Sequence, residues 1–162
     1  MIDPKIEKFI SKHHVLTLAT ATPCGEPYCS NAFYAYSKGE GAFVFTSDKT
    51  THHGEMMLEN SRVAASVVLE TRVVGRVQGL QITGRVMPAL EGDKTLYLKR
   101  FPYAAVADLT LWRLEADMLN LPTIRSDLDG NLYGTDRSSN CGRRCRTPHG
   151  RHYAQAVYDV GQ

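Results

Sequence analysis

Apolar and polar positions first repeat with a helical period and then alternate with a strand period. Ile6, Phe9 and Ile10 recur at intervals of three and four residues, which places them on one face of a helix. Asp3 and Pro4 supply an N-cap and a first helical residue, and we expect this helix to end near residues 13–14. The alternation of apolar and β-branched residues beyond it is typical of strands. It predicts strands at 15–21, 28–36, 42–46, 62–70, 76–87 and 110–119.

Two further helices interrupt this series of strands. Residues 50–60 contain the apolar run Met56 to Leu58, preceded by Ser47, Asp48 and Thr50 as possible caps. Residues 91–100 predict the third helix. Gly- and Pro-containing turns join the first three strands, so these strands should pair antiparallel. The sequence therefore predicts a mainly β fold, a closed six-stranded antiparallel β-barrel with short helices.

The charge distribution separates the chain into two parts. The formal net charge of 162 residues is +2, yet residues 1–136 carry 14 Lys and Arg against 16 Asp and Glu. Five arginines lie between residues 137 and 151, and the periodic pattern is lost from about Asn120. We therefore predict one domain at 1–119 and an irregular, basic C-terminal extension at 120–162 that is flexible.

The extension offers two further interpretations, neither of which we favour. Its arginines are compatible with a nucleic-acid-binding tail. Cys141, Cys145, His149 and His152 invite a zinc interpretation, but their spacing departs from the usual zinc patterns, so we predict no metal site. The chain has no apolar stretch of about 20 residues and no recognisable signal peptide. We therefore expect a cytoplasmic protein with reduced cysteines and no membrane partner.

The segment from Thr46 to His53 has the chemistry of an anion site. A strand ends there and a helix begins, and helix N-termini present unpaired N–H groups and the positive end of the helix dipole. Hydroxyl, ammonium and imidazole donors are concentrated in the same stretch. They belong to Thr46, Ser47, Lys49, Thr50, Thr51, His52 and His53. The alternative is a simple capped surface helix, since Ser, Thr and Asp are also the usual N-cap residues.

Several fragments, in order, carry a resemblance to a known family. They are Leu18–Thr20, Gly25–Pro27, Cys29–Tyr34, Phe45–Thr46, Thr51–Gly54, Val77–Gly84, Arg100–Pro102 and Trp112. With these residues, the chain resembles the pyridoxamine 5′-phosphate oxidase-like FMN-binding split barrels, and within them a small uncharacterised bacterial branch. The resemblance spans roughly residues 10–118. It implies a six-stranded antiparallel split barrel of the FMN-binding type, forming a homodimer with two FMN sites at the interface.

The resemblance also gives the candidate anion site a ligand. In such proteins the ribityl phosphate lies where the third strand meets the short helix, which here is Thr46 to His53. Family members commonly have Ser or Thr followed by Arg and Lys at this point, whereas this chain has Thr51, His52 and His53. Permanent cations are thus replaced by imidazoles that are mostly neutral at pH 7. We expect Lys49 to compensate in part, and FMN affinity to be pH-dependent.

The flavin ring is expected, by the same resemblance, against the strand segment Ser30, Asn31 and Ala32. Gln78 and Gln81 are candidates for hydrogen bonds to it, although strand alternation allows one of them to face solvent instead. Trp112 is a candidate for stacking near the flavin from the partner subunit. Its alternative role is core packing, the commoner place for a strand tryptophan.

Three functions remain compatible with the sequence. The first is an FMN-dependent oxidoreductase acting on an unidentified small molecule, in which the cofactor performs the redox step. The second is a flavin- or haem-binding protein without turnover, because one fold serves several functions. The third, which we do not favour, is nucleic-acid binding by the basic extension. No general base or nucleophile stands out, so the catalytic residues are unknown.

Overall fold

A computed structural model describes residues 2–73, 76–126, 132–135 and 138–140. Its helices are α1 (Pro4–Lys12), α2 (His52–Glu59) and α3 (Asp93–Arg100), followed by a short 3-10 helix at Pro102–Val106. The Asp3 carboxylate accepts a hydrogen bond from the Lys5 N–H at 2.8 Å, so Asp3 caps α1 as predicted. Within the described ranges, no helix combines the length and apolar character needed to cross a membrane.

Six strands form the barrel. They are β1 (Val15–Ala21), β2 (Pro27–Ser37), β3 (Ala42–Thr46), β4 (Arg62–Leu69), β5 (Gln78–Pro88) and β6 (Leu111–Asn120). Their order in the sheet is β5-β4-β1-β2-β3-β6, and β6 pairs again with β5, which closes the barrel. All these pairings are antiparallel. The six-stranded antiparallel barrel with short helices predicted from the sequence is confirmed.

Two details differ from the sequence-based prediction. The N-cap of α2 is Thr51, because the cap is the residue whose side chain accepts from the third helical N–H, here Gly54. The extension is not wholly irregular either, since it contains β7 (Thr123–Ser126), β8 (Leu132–Thr135) and β9 (Ser138–Asn140). β7 pairs with β5, and β9 pairs with β6, so the backbone of the extension continues the sheet at these points. Residues 141–162, including the Cys and His pattern, lie outside the described residues.

Side chains from two helices contribute to the core of the barrel. Ile6, Phe9 and Ile10 of α1 are buried in the main core, as their period predicted. Met57 of α2 joins the same core. The inward residues of β1 alternate strictly with outward ones, which is the pattern of a sheet with one buried face. α2 therefore does not lie free on the surface but is anchored beside the barrel, and its N-terminus has a fixed position.

The barrel is open between β2 and β3. β3 pairs only with residues 34–37 of β2, whereas β1 pairs with residues 27–33. Residues 27–33 of β2 consequently have a free edge on the side of β3, as far as the described strands go. The Tyr34 N–H donates to the His14 carbonyl oxygen at 2.9 Å, so Tyr34 directs its backbone groups toward β1. Because these directions alternate along a strand, Cys29 and Asn31 direct theirs to the open edge.

Candidate functional site

The segment after β3 is held against the start of β6. The Ser47 N–H and the Thr46 hydroxyl both donate to the Thr110 carbonyl oxygen at 3.1 Å. The Trp112 indole N–H donates to the Ser47 carbonyl oxygen at 2.8 Å. Three hydrogen bonds thus fix the backbone at the point where the strand becomes the loop leading into α2.

Three of the predicted phosphate-binding side chains lie together. Ser47 Oγ is 2.7 Å from His53 Nε2 and 3.2 Å from Thr51 Oγ1. Thr51 Oγ1 also donates to the Asp48 carbonyl oxygen at 2.7 Å and accepts from the Gly54 N–H at 3.2 Å. Ser47 is buried, while Thr51 and His53 are half-buried. The hydroxyls and the imidazole therefore form one compact group at the N-terminus of α2.

The start of α2 also provides backbone donors. Among the described residues, the N–H groups of His52 and His53 have no acceptor, as expected for the first helical positions. The loop packs closely here: a Cβ on Gly54 would lie 2.3 Å from the Asp48 carbonyl oxygen. Only glycine, which has no side chain, allows the loop to pass this close to the helix, so Gly54 determines the shape of the N-terminal end of α2.

Thr50, Asp48 and Lys49 occupy the outer side of the loop. The Thr50 N–H and hydroxyl both donate to Asp48 Oδ1 at 2.8 Å. These bonds lower the pKa of the Asp48 carboxyl, which is fully exposed. Thr50 thus already uses its donors within the loop and contributes less to an anion site than the sequence suggested. Lys49 is exposed, so its ammonium is the solvent-facing cation of the segment.

Tyr28 is a site residue that the sequence-based prediction missed. Its ring contacts His52 edge-on, with ring centroids 4.8 Å apart, and lies parallel to His53 at 6.4 Å. Tyr28 belongs to β2, on the stretch with the open edge, so it connects that edge to the start of α2. The aromatic content of β2 was visible in the sequence, but no local signal paired residue 28 with residues 52 and 53.

His53 is poorly suited to carry a charge in the ligand-free protein. Burial lowers its pKa from the ordinary 6.5, and the neighbouring His52 lowers it further. An imidazole accepts or donates at Nε2 according to its tautomer, so neutral His53 can still bond Ser47. A bound anion would reverse the balance by favouring the protonated ring.

The predicted ring-binding residues lie on different faces of the sheet. Ala32 packs against the core, and Ser30 shares its inward direction. Asn31 points outward, where its Oδ1 accepts a hydrogen bond from the Thr17 hydroxyl at 2.8 Å. For a ligand at the open edge, Asn31 offers its backbone groups and Ser30 lies on the inner side of the same edge.

Gln78 and Gln81 face opposite sides of β5. Gln78 is half-buried and has the direction of the core residue Leu80, whereas Gln81 is exposed and accepts from Asn120 Nδ2 at 3.2 Å. Asn31 pairs with Thr17, Thr17 with Ser66, and Ser66 with Gln81, so Gln81 lies three strands away from Asn31. At ordinary strand spacing this separation is roughly 14 Å. One chain therefore does not bring Gln81 to the open edge of β2.

Trp112 lies in the core rather than on the surface. Only 2% of it is exposed, and it belongs to the main hydrophobic cluster. The position of Trp112 therefore supports a role in core packing. Its indole N–H nevertheless reaches the site through the Ser47 carbonyl oxygen.

The outer face of strands β2, β1, β4 and β5 carries no charge over its central segments, and the exposed residues Arg62 and Arg85 lie beyond these segments on β4 and β5. None of the residues 29–33, 15–19, 64–68 and 79–83 is charged. Val15, Phe33 and Val68 project from this face with 43%, 48% and 58% of their surface exposed. We call this area the uncharged face. An exposed apolar area without charges is typical of a protein–protein interface.

The described residues of the site offer hydrogen-bonding groups at two places. In the part of the chain that the structure describes, no three His, Cys, Asp or Glu side chains cluster as metal ligands. The site offers hydroxyls, imidazoles and backbone N–H groups at α2, and unpaired backbone groups at β2. Such donors fit a ligand with a phosphate at one end and a polar-edged planar ring at the other.

Comparisons with known proteins agree with this fold. A UPF0306 protein of Photorhabdus laumondii is 34% identical over 121 residues, covering 72% of this chain and 83% of the relative. The structure described as a heme binding protein from Mycobacterium smegmatis superposes with a TM-score of 0.67 at 18% identity, over 86% of this chain but only 60% of that chain. A FAD-binding protein from Mesorhizobium loti gives a TM-score of 0.60 at 21% identity, over 74% of this chain and 90% of that chain.

A family assignment follows from a match that covers most of the barrel. The sequence model of the family described as pyridoxamine 5′-phosphate oxidase matches residues 2–118. This range begins before α1 and ends within β6, so it contains nearly all of the six-stranded barrel. The chain belongs to the pyridoxamine 5′-phosphate oxidase family.

Proposed function

We propose that this protein binds FMN and acts as an FMN-dependent oxidoreductase on a small molecule. The observation that carries the proposal is the contact of Tyr28 with His52 and His53. It places the donors at the start of α2 beside the open edge of β2. A single ligand with a phosphate and a planar, polar-edged ring can therefore use both.

The phosphate end of the site selects FMN over riboflavin. Ser47, Thr51 and His53 would hold the phosphate oxygens together with the free N–H groups of His52 and His53, and Lys49 would supply a charge from the solvent side. Hydrogen bonds to a charged acceptor are stronger than neutral ones. Riboflavin lacks the phosphate and cannot use these donors.

The ring end of the site is formed by backbone groups. The unpaired N–H and C=O groups of Cys29 and Asn31 match the alternating donors and acceptors on the polar edge of an isoalloxazine, much as a partner strand would. Bound FMN would supply the hydride or electron transfer, and the protein would bind and orient it.

A homodimer fits the uncharged face. Two copies packed through this face would bury Val15, Phe33 and Val68, and only a second copy could bring Gln81 near a ring at β2. Cofactor sites at the interface follow from this arrangement. The same contact would remove apolar side chains from water, which favours association.

Binding without turnover is the alternative, with flavin or haem as the cofactor. One structural neighbour is described as a heme binding protein and another as a FAD-binding protein, so this fold occurs in proteins described as binding either cofactor. The absorption spectrum separates flavin from haem. Reduction of the bound flavin by NADH or NADPH, followed by reoxidation by an acceptor, separates an enzyme from a carrier.

The decisive experiment titrates the purified protein with FMN and with riboflavin, following flavin fluorescence. We expect FMN to bind at least about tenfold more tightly than riboflavin. A protein that takes up neither flavin, or both equally, would overturn the phosphate assignment. If FMN binds but neither nicotinamide donor reduces it, the binding proposal stands and the oxidoreductase proposal fails.

A further inference from the structure

Trp112 reaches the phosphate-binding segment from inside the barrel. It is the single tryptophan of the chain. Its ring is buried in the core, and its N–H donates to the Ser47 carbonyl oxygen at 2.8 Å. A buried indole N–H without an acceptor is costly, so this bond fixes the ring and the carbonyl relative to each other.

Ser47 depends on β6 for its position. Its N–H is bonded to the Thr110 carbonyl oxygen, and its own carbonyl is bonded to Trp112. Its hydroxyl then lies 2.7 Å from His53 Nε2 and 3.2 Å from Thr51 Oγ1. Any shift of the Ser47 backbone would move the hydroxyl away from both partners, because a hydrogen bond weakens steeply with distance and angle.

We propose that Trp112 is a positioning residue for the phosphate-binding segment. It acts through the Ser47 carbonyl and does not touch the ligand. The inference rests on the proposed FMN function and adds a specific role to it: Trp112 contributes to the discrimination between FMN and riboflavin. A tryptophan that merely filled the core would affect the binding of both flavins alike.

The test replaces Trp112 with Phe, which keeps an aromatic ring and removes the N–H. We expect FMN to bind roughly tenfold more weakly, since one buried partner is lost, and riboflavin binding to change by less than about twofold. Tyr34→Phe is the matched control. Tyr34 is also buried in the core, and its hydroxyl donates to a backbone carbonyl, that of Ile10, at 2.8 Å, but this bond lies on α1. The control should leave the ratio of the two affinities unchanged.

A second variant keeps the shape of the bicyclic ring. Because the chain has one tryptophan, biosynthetic replacement by the benzothienyl analogue, which has sulfur in place of N–H, alters position 112 alone. It should reproduce the loss of FMN preference even if Trp112→Phe does not fold. The outcomes are distinct: a wild-type protein without FMN preference overturns the proposed function. A wild-type preference that either variant retains in full overturns the role of Trp112.

Discussion

Ser47 Oγ and His53 Nε2 lie 2.7 Å apart, so an imidazole with a lowered pKa is bonded to a buried hydroxyl at the start of α2. The family resemblance leads us to expect a permanent cation at this point, whereas this chain has His53. The charge of the site therefore depends on what is bound there and on pH.

The first prediction is that FMN affinity falls as pH rises. Burial and His52 lower the pKa of His53 in the free protein, whereas a bound phosphate dianion raises it, so binding takes up a proton. The extra affinity is fully present below the lower pKa, falls as pH rises from the lower to the higher pKa, and is absent above the higher one. We expect roughly fivefold to tenfold tighter binding at pH 6 than at pH 8.5, measured by fluorescence titration. Riboflavin should show no such trend, and a flat profile for FMN would contradict the prediction.

Introducing permanent cations should strengthen binding. We expect the double variant His52→Arg, His53→Lys to bind FMN about tenfold more tightly at pH 8, because charge-assisted bonds to phosphate are then independent of protonation. Its affinity should vary little with pH. The chain contains a matched control in a second His pair: His13→Arg, His14→Lys adds the same charge at the end of α1. An equal gain in both variants would mean that only the net charge matters.

Gly54 should not tolerate a side chain. A Cβ there would lie 2.3 Å from the Asp48 carbonyl oxygen and 2.9 Å from Thr51 Oγ1. Gly54→Ala should lower the free energy of unfolding by about 1–3 kcal/mol, a typical cost of overpacking, and weaken FMN binding more than riboflavin binding. Urea unfolding and the two titrations measure these effects. Gly39→Ala is the control, since a Cβ at that position meets no atom within 4 Å; similar losses in both variants would refute the role of Gly54.

A charge on the uncharged face should prevent dimerisation. Val68→Glu places a carboxylate beside Val15 on the surface proposed to pack against a second copy, where its desolvation would be unfavourable. Sedimentation velocity should show a dimer for the wild type and a monomer for this variant, with weakened FMN binding. Leu90→Glu changes a similarly exposed apolar residue before α3 and should remain dimeric. A dimeric Val68→Glu protein would place the interface elsewhere.

Breaking the buried ion pair Asp93–Arg113 should destabilise the fold. Arg113 and Asp93 are 3% and 4% exposed, and the guanidinium donates to Asp93 Oδ1 at 2.8 Å. Asp93→Asn should lower the free energy of unfolding by roughly 3 kcal/mol. This is the low end of the range expected when one partner of a buried ion pair is removed, because Glu40 still contacts Arg113. Chemical denaturation measures the change. Asp108→Asn, at an exposed position, should have almost no effect, and equal effects would argue against the pair.

The elements of the barrel were largely readable from the sequence because strand alternation and helix period report burial directly. The stripe of Ile6, Phe9 and Ile10 is an example, since all three are in the core. Gly84 shows the kind of detail that depends on the fold: the register of β5 against β6 shifts between Thr83 and Gly84, and a Cβ there would lie 2.1 Å from the Glu115 carbonyl oxygen. A glycine within a strand is typical of a bulge or of a close approach by another backbone.

The site was only partly predictable because its contacts join distant segments. Ser47, Thr51 and His53 are near in sequence, and their grouping followed from the strand-to-helix transition. The sequence suggested stacking near the flavin for Trp112, and its hydrogen bond to the Ser47 carbonyl, 65 residues away along the chain, could not be read from it. The strands of the extension escaped prediction because β7 is only four residues long and pairs with β5 at a single position, so no local alternation announces it.

The open edge of β2 has an evolutionary consequence. A ring held by the peptide groups of Cys29 and Asn31 places almost no demand on side-chain identity, provided that β3 stops pairing at Tyr34. Under the proposed FMN binding, substitutions of the Cys29 and Asn31 side chains should leave these backbone groups in place. The strand could then change its side chains along this edge without losing the donors and acceptors that would hold the ring.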